Sequence, residues 1–215
     1  MIGVHNQDII DYLNKLGQEE ADWIKQLQQE AEEHHVPIMD KQGIALLQQL
    51  IRLHKPTKIL EIGTAIGYSA LRMLEAYPDS SVVTVERDQS MYERATANIE
   101  LNNQQDNINI IFGDALEVEG DIQQQGPYDM IFIDAAKGQY RHFFDKYAPL
   151  LTDKGLIITD NVLFRGLVTN AEEAPKRLQK LVEKIKLYNQ WLMENPLYDT
   201  TILPVGDGVA ISVKK

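Results

Sequence analysis

Cysteine is missing from all 215 residues, which excludes a disulfide framework, thiolate catalysis and cysteine-ligated zinc or iron-sulfur sites. Any metal must therefore bind through oxygen or histidine. Long apolar runs are missing too: no window approaches the ~18 consecutive apolar residues of a membrane span. The opening stretch, Met1 to Asp11, lacks a basic flank leading into an apolar run, so export is not expected and a cytoplasmic protein without membrane attachment is. Thirteen glycines and eight prolines are too few for a disordered or fibrous chain. Basic residues are outnumbered 21 to 32, and the net charge of -11 argues against a protein whose whole surface binds nucleic acid.

What is present is an ordinary globular composition, 44% hydrophobic and 25% charged, in a length that suits one domain over 1–215 better than two. The charge is uneven. Residues 135–190 carry ten Lys and Arg against six acids, a local balance of +4, which leaves the remainder at -15. Solvated helix faces would account for this without any binding partner.

The first 55 residues show helical periodicity only: Ile9, Ile10, Leu13 and Leu16, then Trp23, Ile24 and Leu27, then Ile44, Leu47, Leu50 and Ile51. They read as a helical extension whose apolar excess is compatible with a homodimer. From residue 56 short apolar runs alternate with amphipathic stretches. The runs begin at Lys58, Ser81, Ile108, Tyr128 and Gly155, and five such units in succession predict a doubly wound α/β fold with a parallel sheet. A helix opening near Pro175 and ending around Asn195 follows, with Leu178, Leu181, Val182, Ile185 and Tyr188 on one side. Two final strands, Thr200 to Leu203 and Val209 to Val213, are so closely spaced that they must pair antiparallel.

In such sheets ligands sit beyond the carboxyl ends of the strands. After the first strand comes Glu61-Ile-Gly63-Thr-Ala-Ile-Gly67-Tyr-Ser69, whose glycines allow close backbone approach to a ligand and start a helix whose N-terminal amides face it, the alternative being tight strand-to-helix packing. It is neither Gly-x-Gly-x-x-Gly nor a phosphate loop. Glu86 ends the second strand, 23 residues after Gly63, where a carboxylate accepts from the ribose hydroxyls of an adenosine cofactor. Nicotinamide and S-adenosylmethionine enzymes share that device. Asp114, in Gly113-Asp114-Ala115, can accept from an adenine amino group or cap a helix. At the fourth and fifth strand ends, Asp134, Asp160 and Asn161 offer three hard oxygen ligands suited to Mg2+ on one rim, unless each merely caps a turn. Lys137, one helical turn past Asp134, is placed to accept a proton. The adjacent His34 and His35 point in different directions and are expected to be structural or pocket-lining.

Taken in order, Glu61 to Ser69, Glu86, Gly113-Asp114-Ala115, Asp134-Ala-Ala-Lys137 and Asp160-Asn161 resemble the metal-dependent O-methyltransferases related to the catechol and caffeoyl-CoA enzymes. The resemblance spans the whole chain. It implies a Rossmann-like methyltransferase: a mostly parallel seven-stranded sheet with an antiparallel last strand, behind the helical extension of 1–55 and within a core of 56–215. More narrowly, His34 to Met39, Lys137 to Tyr140, Asn161 to Gly166, Tyr188 to Leu192 and Pro204 to Gly208 resemble the bacterial branch that methylates 5-hydroxyuridine at the wobble position of the tRNA anticodon. By that resemblance Met39, Ser69, Glu86, Asp114 and Asp134 hold S-adenosylmethionine, with Glu61, Gly63 and Ala115 beside it. Asp134, Asp160 and Asn161 hold Mg2+, and Lys137 and Asp134 carry the catalysis. The catechol enzyme has an aromatic residue where this chain has Ala136. The expected activity is methylation of tRNA 5-hydroxyuridine to 5-methoxyuridine, the rivals being a small catechol-like phenol as acceptor, a nicotinamide oxidoreductase, and a binding module that has kept the fold.

Overall fold

A computed structural model describes residues 7–17 and 19–215. The residues before 7, read above for an export signal, and Gln18 lie outside that description. Helices α1 (Gln7–Leu16), α2 (Asp22–Glu33) and α3 (Lys41–His54) form the opening segment. Then follow β1 (Lys58–Ile62), α4 (Tyr68–Ala76), β2 (Ser81–Glu86), α5 (Gln89–Leu101), β3 (Ile108–Phe112), α6 (Glu119–Gln124), β4 (Tyr128–Ile133), α7 (Tyr140–Tyr147) and β5 (Leu151–Thr159). The chain closes with α8 (Lys176–Glu194), β6 (Tyr198–Leu203) and β7 (Val209–Lys214). Among the described residues no helix is long and apolar enough to cross a membrane.

The seven strands form one sheet in the order β3-β2-β1-β4-β5-β7-β6. Neighbours from β3 to β5 are parallel, while β7 lies antiparallel between β5 and β6. This is the Rossmann-like methyltransferase architecture expected from the sequence. Strand order reverses between β1 and β4, so the loops leaving those two strands part and open a crevice at their carboxyl ends.

Alternation along the strands divides the core between two faces. Ile59, Met130, Phe132 and Ile158 pack on one face with Ile44, Leu47 and Ile51 of α3 and Leu71 and Leu74 of α4. Leu60, Ile62, Ile131, Ile133 and Ile157 pack on the other with Tyr140, Phe144 and Tyr147 of α7 and Tyr188 and Leu192 of α8. Both faces are covered by helices, which is why these strands read as unbroken apolar runs. Asp40 caps α3, its Oδ1 accepting from the amides of Gln42 and Gly43 at 2.9 and 3.0 Å. Pro175 stands just before α8 and not in its first turn, its carbonyl accepting from Leu178 at 2.7 Å. α8 buries Val182, Ile185, Tyr188 and Leu192, leaving Leu178 and Leu181 only partly covered.

Candidate active site

The crevice is a cavity of about 500 Å³ walled by the loops after β1 to β5, by Met39 and by Asp207 of the β6–β7 turn. At its floor, Gly63 has φ +104°, and a Cβ there would lie 2.1 Å from the carbonyl oxygen of Asp134. Gly63 is therefore needed first for the packing of the β1 loop against the end of β4. On the side where a Cβ would point, the close approach is made by the chain itself and fixes Asp134, while Gly63 also lines the cavity. The Asp134 amide donates to Ile62 at 3.0 Å across the same junction.

Glu86 lies on the cavity wall, half-buried, and three backbone amides converge on its carboxylate: Ala65 on one oxygen at 2.9 Å, Arg87 and Asp88 on the other at 2.9 and 2.8 Å. A carboxylate has roughly four lone-pair sites. One remains open in this arrangement for a ribose hydroxyl. Glu86 thus does two things, clasping the β1 loop to β2 and presenting negative charge to the cavity.

Glu61 does not reach the cavity. It is fully buried, with Ser69 Oγ donating to one oxygen at 2.5 Å and Thr84 Oγ1 to the other at 2.6 Å, while Thr84 also bonds Thr64 at 2.6 Å. Burial pushes its carboxyl up to about 8 against the pull of those two hydroxyls, and the charges of Asp134 and Glu86 add to the rise. Expected beside the cofactor, Glu61 instead stands behind Ser69, which does line the cavity. Periodicity alone hid this, because Glu61 sits in the middle of a buried strand and its partner Thr84 reads as a β-branched core residue.

Asp114 lines the cavity with Gly113 and Ala115. Its Oδ1 accepts from Leu116 at 2.9 Å and its Oδ2 pairs with exposed Arg87 at 3.2 Å. The alternative of a helix cap is not met, since α6 starts only at Glu119. Ala115 is buried, and its carbonyl accepts from the hydroxyl of Tyr147.

At the β4 and β5 ends, Asp134, Lys137, Asp160 and Asn161 come together on the cavity wall. Asp160, 3% exposed, continues the ladder by donating to Ile133 at 3.1 Å. Asn161 has φ +60°, a left-handed turn that asparagine tolerates. Its side-chain amide donates to Asp160 at 2.6 Å, and its oxygen accepts from Lys137 at 2.5 Å. Lys137 opens a short 3-10 turn and is not a helical turn beyond Asp134. From behind, α8 braces the rim: Tyr188 bonds Thr159 at 2.8 Å and Asn189 donates to the Val162 carbonyl at 2.7 Å. Burial pushes both carboxyls above the ordinary range; the charge of Asp134 adds to the effect on Asp160, and Lys137 opposes it on Asp134. Two carboxyls, Asp160 buried and Asp134 half-buried, with the charge of Asp134 opposing ionisation of Asp160, form beside an amide oxygen a donor set that a hard divalent cation would relieve. Among the described residues no three His, Cys, Asp or Glu side chains gather as a metal cage, so the third side-chain oxygen at this rim is that of Asn161.

His34 and His35 are exposed and line no part of the cavity, because they end α2, with His35 at φ +54°. The residues that sequence reasoning missed are Thr64, Thr84 and Asp207. Pro204-Val-Gly-Asp-Gly208 carried a turn signal, yet only the insertion of β7 beside β5 brings Asp207 to the cavity.

The family model described as O-methyltransferase matches residues 14–215. A catechol O-methyltransferase from Niastella koreensis is 32% identical over 188 residues, 84% of this chain and 83% of that protein. A solved structure of a candidate caffeoyl-CoA O-methyltransferase from Staphylococcus aureus superposes with a TM-score of 0.87 at 40% identity, covering 97% of this chain and 98% of that one. An O-methyltransferase from Bacillus cereus, solved in complex with SAH, has a TM-score of 0.83 at 26% identity over 95% of this chain and 96% of its own.

Proposed function

This chain belongs to the S-adenosylmethionine-dependent O-methyltransferases of the caffeoyl-CoA and catechol type, and we propose that it uses Mg2+ and methylates 5-hydroxyuridine at the wobble position of tRNA. The observation that carries the metal is the rim of Asp134, Asp160 and Asn161, one buried and one half-buried carboxyl and an amide oxygen beside the cofactor crevice. These three side chains would hold the ion. Met39, Ser69, Glu86, Asp114 and Asp134 would hold the cofactor, with Gly63 and Ala115 shaping the backbone beneath it. When bound, the cofactor supplies the methyl group and the ion a Lewis acid suited to two oxygens on neighbouring ring carbons.

The chain's own residues then account for orientation and proton movement. Gly63 fixes Asp134, Tyr188 and Asn189 fix the Asp160–Asn161 turn, and the half-buried Lys137 holds Nζ at that rim, where it takes up the proton of the acceptor hydroxyl. A 5-hydroxyuracil ring offers O4 and O5 on adjacent carbons, the same pair of oxygens that a catechol offers. Support for RNA comes from the basic stretch 135–190, which carries Arg165 at the cavity, and from the motifs that resemble the tRNA branch. The exposed Tyr12, Leu13 and Leu16 of α1 support a homodimer.

A small catechol-like phenol is supported comparably, because the Niastella koreensis relative is a catechol O-methyltransferase. Incubation with labelled methyl donor and either bulk tRNA or simple catechols decides between them. Label appearing in tRNA, with 5-methoxyuridine on nucleoside mass analysis, is the expected result; label confined to catechols overturns the tRNA reading.

A further inference from the structure

The sheet order separates the two ends of the cavity. Gly63, Glu86 and Asp114 follow β1, β2 and β3 on one side of the Asp134 loop, whereas the turn after β5 and the β6–β7 tip lie on the other. With strands roughly 5 Å apart, the second group stands at the acceptor end and not against the adenosine.

At that end the chain builds an uncommon structure. Phe164, Arg165 and Gly166 have successive positive φ values of 44°, 56° and 74°. For the two non-glycine residues this conformation has a cost and needs outside support. Asp207 supplies it. Its carbonyl accepts from Leu163 at 2.9 Å and Phe164 at 3.2 Å, and its Oδ1 accepts from the Arg165 amide, while the Gly208 carbonyl accepts from Val162 at 3.0 Å. The turn and the tip are also pressed together: a Cβ on Gly208, at φ +91°, would lie 2.3 Å from Leu163 Cγ.

One oxygen of the Asp207 carboxylate is thus engaged by backbone, and among the described residues the Arg165 guanidinium has no hydrogen-bond or ion-pair partner. Arg72, Arg87 and Arg94 each pair with an acid. Arg165 is exposed, lines the same cavity as Asp160 and Asn161, and follows Asn161 by four residues. An unpaired planar cation held by a strained, braced turn at the open end of a site is suited to an oxyanion that arrives with the ligand.

We propose that Arg165 is a specificity-determining residue whose guanidinium, seated by Asp207, pairs with an anionic oxygen group carried by the methyl acceptor. Asp207 is its positioning residue. The proposal rests on this cavity being the methyl-transfer site, not on the choice between RNA and phenol. The anion is a phosphodiester if the acceptor is RNA and a carboxylate if it is a small aromatic acid.

The test compares Arg165→Ala, Asp207→Ala and Asp207→Asn on three acceptors: an anticodon stem-loop RNA containing 5-hydroxyuridine, neutral catechol, and 3,4-dihydroxybenzoate. Arg165→Ala should raise KM for the anionic acceptor by about 10- to 100-fold with kcat nearly unchanged, and leave catechol unaffected. With RNA the salt dependence of KM should also flatten by about one phosphate contact. Asp207→Ala should follow Arg165→Ala, and Asp207→Asn, which keeps the Oδ1 acceptor, should restore KM; unchanged S-adenosylmethionine affinity shows that each variant is folded. Equal effects of Arg165→Ala on neutral and anionic acceptors overturn the proposal, and an Asp207→Ala protein with wild-type KM for every acceptor overturns the seating. Discrimination confined to 3,4-dihydroxybenzoate, with no label in RNA, retains Arg165 and removes the tRNA assignment.

Discussion

Lys137 Nζ donates to the side-chain oxygen of Asn161 at 2.5 Å, so the group placed to accept the proton and a group placed to bind the metal are joined by one hydrogen bond. A cation using Asn161 competes with that hydrogen bond, and Lys137 must give its own proton to solvent before its neutral amine can take one from the acceptor hydroxyl. Lys137→Ala should therefore separate two effects. Mn2+ or Mg2+ affinity, measured by calorimetry, should rise, because a competing positive charge and a competing hydrogen bond are both removed. Methyl transfer at saturating metal should fall by about 10²- to 10⁴-fold. Weaker metal binding in Lys137→Ala would show instead that the lysine holds Asn161 ready for the ion.

Asp160 and Asp134 differ in their neighbours. Asp160 stands between β4 and Asn161 at the far side of the rim, whereas Asp134 adjoins the β1 loop through Gly63. Asp160→Ala should abolish activity and leave S-adenosylmethionine binding near wild type, while Asp134→Ala should damage both. Equal cofactor affinity of the two variants, measured by calorimetry, would remove Asp134 from the cofactor site.

Glu86→Gln keeps size and one acceptor oxygen but loses charge and leaves one of the converging amides facing an NH2 group. Cofactor affinity should weaken by roughly 1 to 3 kcal/mol. Turnover at saturating cofactor should change little; a large loss of turnover with unchanged affinity would place Glu86 in the chemistry.

Glu61 gives the fold a pH dependence. Its ordinary value is 4.5 and burial raises it to about 8 in the folded chain. The unfolded chain thus releases this proton first, so the stabilising contribution is fully present below pH 4.5 and is lost as pH rises through 8. Glu61→Gln cannot ionise. Urea unfolding at several pH values should show wild-type stability falling relative to this variant by on the order of a few kcal/mol between pH 5 and 8. A constant difference across that range would mean that Glu61 ionises at its ordinary pH within the fold.

The sequence by itself determined the sheet and the inventory of polar groups at its edge. Residues such as Ile59 and Leu60 or Ile131 and Phe132 are apolar in succession because both faces of their strands are covered. That pattern marks where each strand ends, and therefore which of Glu86, Asp114, Asp134, Asp160 and Asn161 stand at the ligand side. Tertiary structure alone decided what each of these groups faces. Glu61 and Ser69 are eight residues apart, and only the packing of α4 on β1 puts the carboxyl behind the hydroxyl and out of the cavity. Gly63 lines the cavity and also leaves room for the end of β4, a packing demand set by the fold. Arg165 and Asp207 are 42 residues apart, joined because β7 enters the sheet beside β5. Local periodicity reports burial, a property of one residue and its near neighbours; hydrogen bonds and charge pairing across the site depend on which distant strands become adjacent, and that is set by the order of the whole sheet.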